Sequence, residues 1–181
     1  CILSANASDY LYKIADKPWN EGFGNHRAVI EVKKKSNIVK LKLEWRRPDK
    51  EPEKRRFIIV NAETGDTIKN IIKKQINNER CSLIFGPATA GIYYFYYLPY
   101  KVQTGGGFYS GDYLPDNIKN DLSWNAMLSE EKDSISSANV IAIESRTQFD
   151  SFYPMEVIAT ASEVSSYCKK YACNWFTFPE D

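Results

Sequence analysis

Apolar and polar positions alternate with a period of two along much of this chain, the mark of half-buried β-strands. In the cleanest stretch Val39, Leu41, Leu43 and Trp45 point one way, and Lys40, Lys42 and Glu44 point the other. Just before it, Ala28, Ile30 and Val32 alternate with Val29, Glu31 and Lys33. The polar Lys33-Lys34-Lys35-Ser36-Asn37 between the two predicts a β-hairpin. Phe57-Ile58-Ile59-Val60 is a short continuous apolar run of the kind found in buried strands, and further strands are predicted at 67–72 and 82–85.

Residues 91–100 stand out, with six aromatic side chains in ten and no charge. Alternation puts Ile92, Tyr94, Tyr96 and Leu98 on one face and Tyr93, Phe95 and Tyr97 on the other. Both faces are apolar with hydroxyl tips. This predicts a central strand whose outer face is also partly covered.

Strands are expected again at 139–145 and 155–160. There the period changes. Thr160-Ala161-Ser162-Glu163 has the capping pattern of a helix start, and Val164, Tyr167, Cys168 and Tyr171 share one helical face, predicting a helix at about 162–172. Asn174-Trp175-Phe176-Thr177-Phe178 reads as a last strand. Residues 1–18 lack periodicity and read as a tether. Residues 101–135 read as a long excursion whose Tyr109, Tyr113 and Trp124 close over the sheet. The sum is an all-β chain: a tether over 1–18, then an antiparallel β-sandwich over 19–181, jelly-roll or immunoglobulin-like, with one short C-terminal helix.

Composition changes this picture little. Hydrophobic residues make up 43% and charged residues 26%, as in ordinary globular domains, while the 14% aromatic share suits sheets and carbohydrate- or protein-facing surfaces. The net charge of +1 hides an asymmetry: 18 Lys and Arg against 11 Asp and Glu over 1–80, then 6 against 12 over 81–181. The positive residues fall on alternating strand positions and in a loop rich in compensating acids, which argues against nucleic acid as a partner.

Candidate chemistry is sparse. Glycosidic hydrolysis commonly uses two flanking carboxyl groups, and nothing in the spacing of Asp112, Asp150 and Glu156 singles them out. The single histidine, His26, reads as a loop hydrogen-bonder, and no nucleophile, metal or cofactor motif is present. Cys168 and Cys173 lack zinc or redox spacing; they are either a disulfide or buried small apolar residues. Cys1, followed by a polar stretch, is what a processed, lipid-anchored bacterial export would begin with, and an arbitrary chain boundary explains it nearly as well.

Four phrases carry a resemblance: Gly24-Asn25-His26-Arg27-Ala28-Val29, Glu44-Trp45-Arg46-Arg47-Pro48-Asp49, Tyr96-Tyr97-Leu98-Pro99-Tyr100, and Phe152-Tyr153-Pro154-Met155-Glu156-Val157-Ile158-Ala159-Thr160. Together they resemble the N-terminal domain of glycoside hydrolase family 123 and its Bacteroides-type relatives. The resemblance implies a β-sandwich that precedes a catalytic (β/α)8 barrel. The barrel's adjacent Asp-Glu pair would act on β-linked N-acetylgalactosamine with help from the substrate's acetamido group. No residue of this chain corresponds to that pair. The expectation is therefore an accessory, non-catalytic domain of an exported enzyme, periplasmic or on the cell surface of a Gram-negative bacterium. Its partner would be the barrel of the same polypeptide.

Within the phrases, Trp45, Arg46, Arg47, Tyr97 and Tyr100 belong to strand ends marked by Pro48 and Pro99, and Asn25 and His26 sit in a glycine-flanked loop. They are the candidates for contact with the barrel or, in the competing reading as a carbohydrate-binding module, with glycan. That competing reading needs Tyr93, Tyr97, Tyr100 or Tyr109 to form an exposed row.

Overall fold

The computed structural model describes residues 10–45, 47, 49–103, 110–130 and 135–146. The expected strands at 155–160 and 174–178, the helix at 162–172 and Cys1, Cys168 and Cys173 lie outside the described residues.

Ten strands are present among them: β1 (Leu11–Ile14), β2 (His26–Val32), β3 (Val39–Glu44), β4 (Ile58–Asn61), β5 (Asn70–Ile76), β6 (Arg80–Gly86), β7 (Gly91–Tyr96), β8 (Tyr100–Gln103), β9 (Ser110–Tyr113) and β10 (Ser136–Ser145). Eight build one curled sheet in the order β4-β7-β2-β10-β3-β6-β5, with β1 added to β10; β8 and β9 form a separate antiparallel pair. The aromatic strand β7 lies between β4 and β2, the interior place its composition predicts.

Strand β10 lets one sheet form two walls. Along one edge it pairs antiparallel with β2. Along the other, Ser136 and Ser137 pair parallel with β3, and Ala142 to Ser145 pair parallel with β1. A bulge between Val140 and Ala142 separates the two parts, and a bulge bends a strand and increases its twist. The remaining pairings of the sheet are antiparallel.

The core follows the period of two. Val39, Leu41, Leu43 and Trp45 are buried from one wall, and Ala28, Ile30, Val32, Tyr93 and Phe95 from the other. Burying each large aliphatic or aromatic side chain contributes roughly 1.5–3 kcal/mol before conformational entropy is charged against it. Trp45, Phe57, Phe95 and Tyr97 form a chain of tilted and edge-on rings with centroids 5.1–6.1 Å apart.

Four expectations are corrected. β2 and β3 do not pair as a hairpin; each joins a different wall. The polar link between them is bridged instead to the β6–β7 connection, through Ser36 and Ala88. Gly86 sits at φ +154 with its α-carbon pressed on the Asn37 carbonyl, so only glycine fits that contact. The expected strand at 67–72 begins later, at Asn70, and runs to Ile76. In the expected tether, Leu11–Ile14 is a strand, held by ladder bonds to β10 rather than by an apolar face of its own.

The fourth correction concerns the 101–135 excursion, which holds β8, β9 and the helix α1 (Leu122–Glu130). This helix was invisible to periodicity because Trp124 alone of its described residues is buried, while Leu122 points to solvent. Polar groups fasten it. The Asn120 side chain both accepts from the Ile71 amide and donates to the Ile71 carbonyl, and Asn70 accepts from the Asp121 amide. Trp124 Nε1 donates to the Asn37 carbonyl, 2.8 Å away.

Candidate functional site

The strand-end phrases converge. The Trp45 and Tyr97 rings lie 5.5 Å apart, so the two proline-bounded corners occupy one end of the sandwich. The glycine-flanked loop joins them: Gly24 adopts φ +93 with its α-carbon against the Leu98 carbonyl, and a β-carbon there would fall 2.5 Å from that oxygen. The Asn25 carbonyl accepts a bond from the Arg146 amide at 2.9 Å, so β10 ends at this corner too.

Most of the sequence candidates are interior. Trp45, Arg47, Tyr97, Tyr100 and Asn25 are all buried, and His26 is half-buried. Arg46 lies outside the described residues. Tyr93 is buried as well, so Tyr93, Tyr97 and Tyr100 form no exposed row; Tyr109 lies outside the described residues.

Arg47 is an internal anchor. Its Nε and Nη2 donate to Asp49 Oδ1 and Oδ2, both at 2.9 Å, a two-pronged pairing that suits guanidinium and carboxylate. The guanidinium carbon stands 4.5 Å from the centre of the Trp45 ring. The Asn78 side-chain amide donates to the carbonyls of Arg47 and Asp49, tying the corner to the β5–β6 turn, and Trp45 Nε1 donates to the Asn77 carbonyl. An arginine leaving a ladder beside a proline pairs with a carboxylate here, the ordinary structural outcome for such a corner.

Beside it, Lys73 Nζ donates to the carbonyls of Glu53 and Arg55 and to Asp116 Oδ2, and lies 4.4 Å from the Phe57 ring centre. Burial pushes its pKa down, and the bond to Asp116 works against that.

No local sequence pattern flags the second cluster, on the outer face of β7, β2 and β10. Arg27 donates from Nε to Glu144 Oε2 at 2.7 Å and from Nη1 to the Tyr96 hydroxyl at 3.0 Å. Its guanidinium carbon is 3.5 Å from the Tyr94 ring centre and 4.4 Å from that of Trp19. Trp19 is fixed in turn by donating to the Gly24 carbonyl, and Lys13 reaches the other oxygen of Glu144 at 3.2 Å. Burial raises the pKa of Tyr96, with the Arg27 bond opposing. Parity alone could have flagged Arg27 as outward-facing with Val29, but its partner is 117 residues away and no local spacing links the two.

Chemically, the Arg27 guanidinium is spent on Glu144, the Tyr96 hydroxyl and the flanking rings, while Arg47 pairs with Asp49 through Nε and Nη2 and keeps a buried Nη1 without a hydrogen-bond partner among the described residues. Both clusters fasten loops to the sheet and build one firm end where Gly24, Leu98 and Arg146 meet.

No curated protein and no solved structure matches this chain. The family described as Glycoside hydrolase 123, N-terminal domain, matches residues 17–146, from just after β1 to the residue that follows β10. That span holds the sheet except β1, both arginine–carboxylate pairs and the converging corners, and by it the chain belongs to the family of glycoside hydrolase 123 N-terminal domains.

Proposed function

We propose that this chain is the non-catalytic β-sandwich of an exported glycoside hydrolase, supporting and orienting a (β/α)8 barrel that follows it in the polypeptide. The family match over residues 17–146 carries this reading. The parent enzyme would act on β-linked N-acetylgalactosamine, and Cys1 would carry a lipid anchor on a periplasmic or cell-surface protein. The barrel would meet the end where Gly24, Leu98 and Arg146 converge, because the chain leaves the sheet there after Ser145. Arg46, adjacent in sequence to the internal anchor Arg47, is the interface candidate of that corner. Interfaces between domains of one chain favour such arginine and aromatic anchors.

The test compares residues 1–181 with the polypeptide extended through its next domain, on an aryl β-N-acetylgalactosaminide. The extended protein should turn it over and residues 1–181 should not. Turnover by residues 1–181 that disappears on replacing one carboxylate would assign catalysis to this domain instead.

A further inference from the structure

The two walls differ on their outward sides. β2, β7 and β10 turn out the Arg27 cluster, whose guanidinium is engaged by Glu144 and the rings around it, whereas β3, β6 and β5 turn out cations. Leu41 and Leu43 are buried, so alternation points Lys40 and Lys42 outward, and both are exposed. Arg80, one residue before the buried Cys81, is exposed on the same side. On β5, Lys73 pairs with Leu83 and reaches the Phe57 ring, Gln75 pairs with Ser82, and a bulge separates the two. A bulge re-aims a side chain, and the extra residue here, Lys74, is exposed.

β6 lies between β3 and β5, so the four cations share one sheet face about 10 Å across. Glu44 opposes Arg80 in the ladder, so the face runs about 14 Å along the strands from Lys40 to Arg80. Glu44, half-buried, is the acid on the outward side of these three strands, and Asp121 stands at the far end, where its amide donates to Asn70.

We propose that this face binds an anionic polysaccharide, whose sulfate or carboxylate groups pair with Lys40, Lys42, Lys74 and Arg80. Charge complementarity fixes the sign of the partner, and the rest of the face selects its class. Protein interfaces centre on aromatic or apolar anchors and are depleted in Lys, whereas the outward apolar residues here, Ile72 and Ile84, are half-buried. Single-stranded nucleic acid is held by stacking on rings, and the aromatic residue of these strands, Phe85, is buried in the core. Membrane docking buries an exposed apolar face, and no large hydrophobic residue of β3, β5 or β6 is exposed. A hydrated anionic chain asks only for cations spaced along a sheet, with the exposed Gln75 amide among them to bond its hydroxyl groups. The inference stands on the charge and topology of this wall and does not rest on the accessory role proposed above.

The test uses the whole 181-residue chain. It reads fluorescence anisotropy of labelled heparin, a sulfated chain, and of labelled polygalacturonate, a carboxylated one, with uncharged dextran as the reference. The wild-type chain should bind one or both anionic polymers, more weakly as salt rises, and should leave dextran free. The polymer bound more tightly tells which anion the face prefers. Lys40→Ala with Lys42→Ala, or Lys74→Ala with Arg80→Ala, should weaken binding by about tenfold or more. Lys40→Arg with Lys42→Arg keeps the charge and should keep the binding. Lys17→Ala with Lys101→Ala removes the same charge from exposed sites elsewhere and should change affinity by no more than about twofold. Surface substitutions of this kind barely shift stability, and unaltered urea midpoints check that each variant is folded. Binding of neither polymer, or equal losses in the control pair, would overturn the proposal. Tighter binding to single-stranded DNA or to phosphatidylglycerol vesicles, abolished by the same replacements, would overturn it in favour of nucleic acid or a membrane surface.

Discussion

Arg27 and Glu144 stand 117 residues apart in sequence and 2.6 Å apart in space, joining β2 to β10 on the outer face of the sheet. Both are nearly buried, and the guanidinium is also flanked by Trp19 and Tyr94. Removing one member leaves the other charged and desolvated, which typically costs about 3–5 kcal/mol. Glu144→Ala should therefore destabilise the domain by that order in urea titration. A double replacement, Arg27→Met with Glu144→Leu, should recover much of the loss. Equal losses in the single and double variants would mean that the flanking rings, not the ion pair, hold this face.

Arg47 makes a contrasting case, because the sequence marked it as an interface residue and the structure engages it inside. With Asp49 paired to it at two points, Arg47→Ala should cost the isolated chain about 3 kcal/mol or more. Arg47→Lys should keep the charge but lose the two-pronged geometry and recover only part of that. A loss within about 0.5 kcal/mol, the usual surface value, would return Arg47 to the interface.

What was legible in the sequence was what one strand reveals by itself. The alternation of Val39 to Trp45 and of Tyr93 to Tyr97 told which side chains enter the core, since parity is a local property. Pairing is not local. The polar link after Lys33 reads as a hairpin turn, yet its Ser36 bonds to Ala88 and sends the chain to the other wall. The helix α1 was hidden because polar bonds from Asn120 and Asp121 seat it, and they leave no periodic apolar face. The candidate residues were legible as a set of corners but not as buried or exposed. Arg47 is interior because Asp49 turns back onto it and Asn78 caps both carbonyls, and that partner comes from a distant turn. Arg27 went unnoticed for the same reason: the residue that gives it a role lies on the last described strand.

Gly24 separates backbone conformation from packing. At φ +93 any L-residue is strained, and a β-carbon would meet the Leu98 carbonyl at 2.5 Å. Gly65 also has positive φ, at +78, but a β-carbon there meets nothing within 4 Å. Gly65→Ala should thus cost about 1–2 kcal/mol from conformation alone. Gly24→Ala should cost clearly more and should weaken the Trp19 contact, visible as a shift in tryptophan fluorescence. Equal costs at the two sites would show that the Leu98 corner yields.

Cys81 should make the domain sensitive to alkali. It is wholly buried between Leu43 and the β5 strand, and desolvation pushes its thiol far above the ordinary 9.0, against small opposing effects of Arg47 and Lys73. The thiol's folded pKa is raised, so above about pH 9 the unfolded chain gives up this proton while the folded chain keeps it. Stability from the neutral buried thiol is complete below pH 9 and falls as pH rises beyond it, by at most about 1.4 kcal/mol per pH unit. Lys73 acts the other way: its depressed folded pKa makes stability rise with pH just below its ordinary 10.5, so it partly masks the thiol in that upper range. Lys73 is common to the wild-type chain and Cys81→Ala, so the difference between the two isolates the thiol over the window pH 9 to 10. Urea midpoints measured across it should fall for the wild-type chain and fall less steeply for Cys81→Ala, despite that variant's lower stability at neutral pH. Parallel slopes for the two proteins would mean that the thiol already ionises in the folded state, through water reaching the space between β3 and β6.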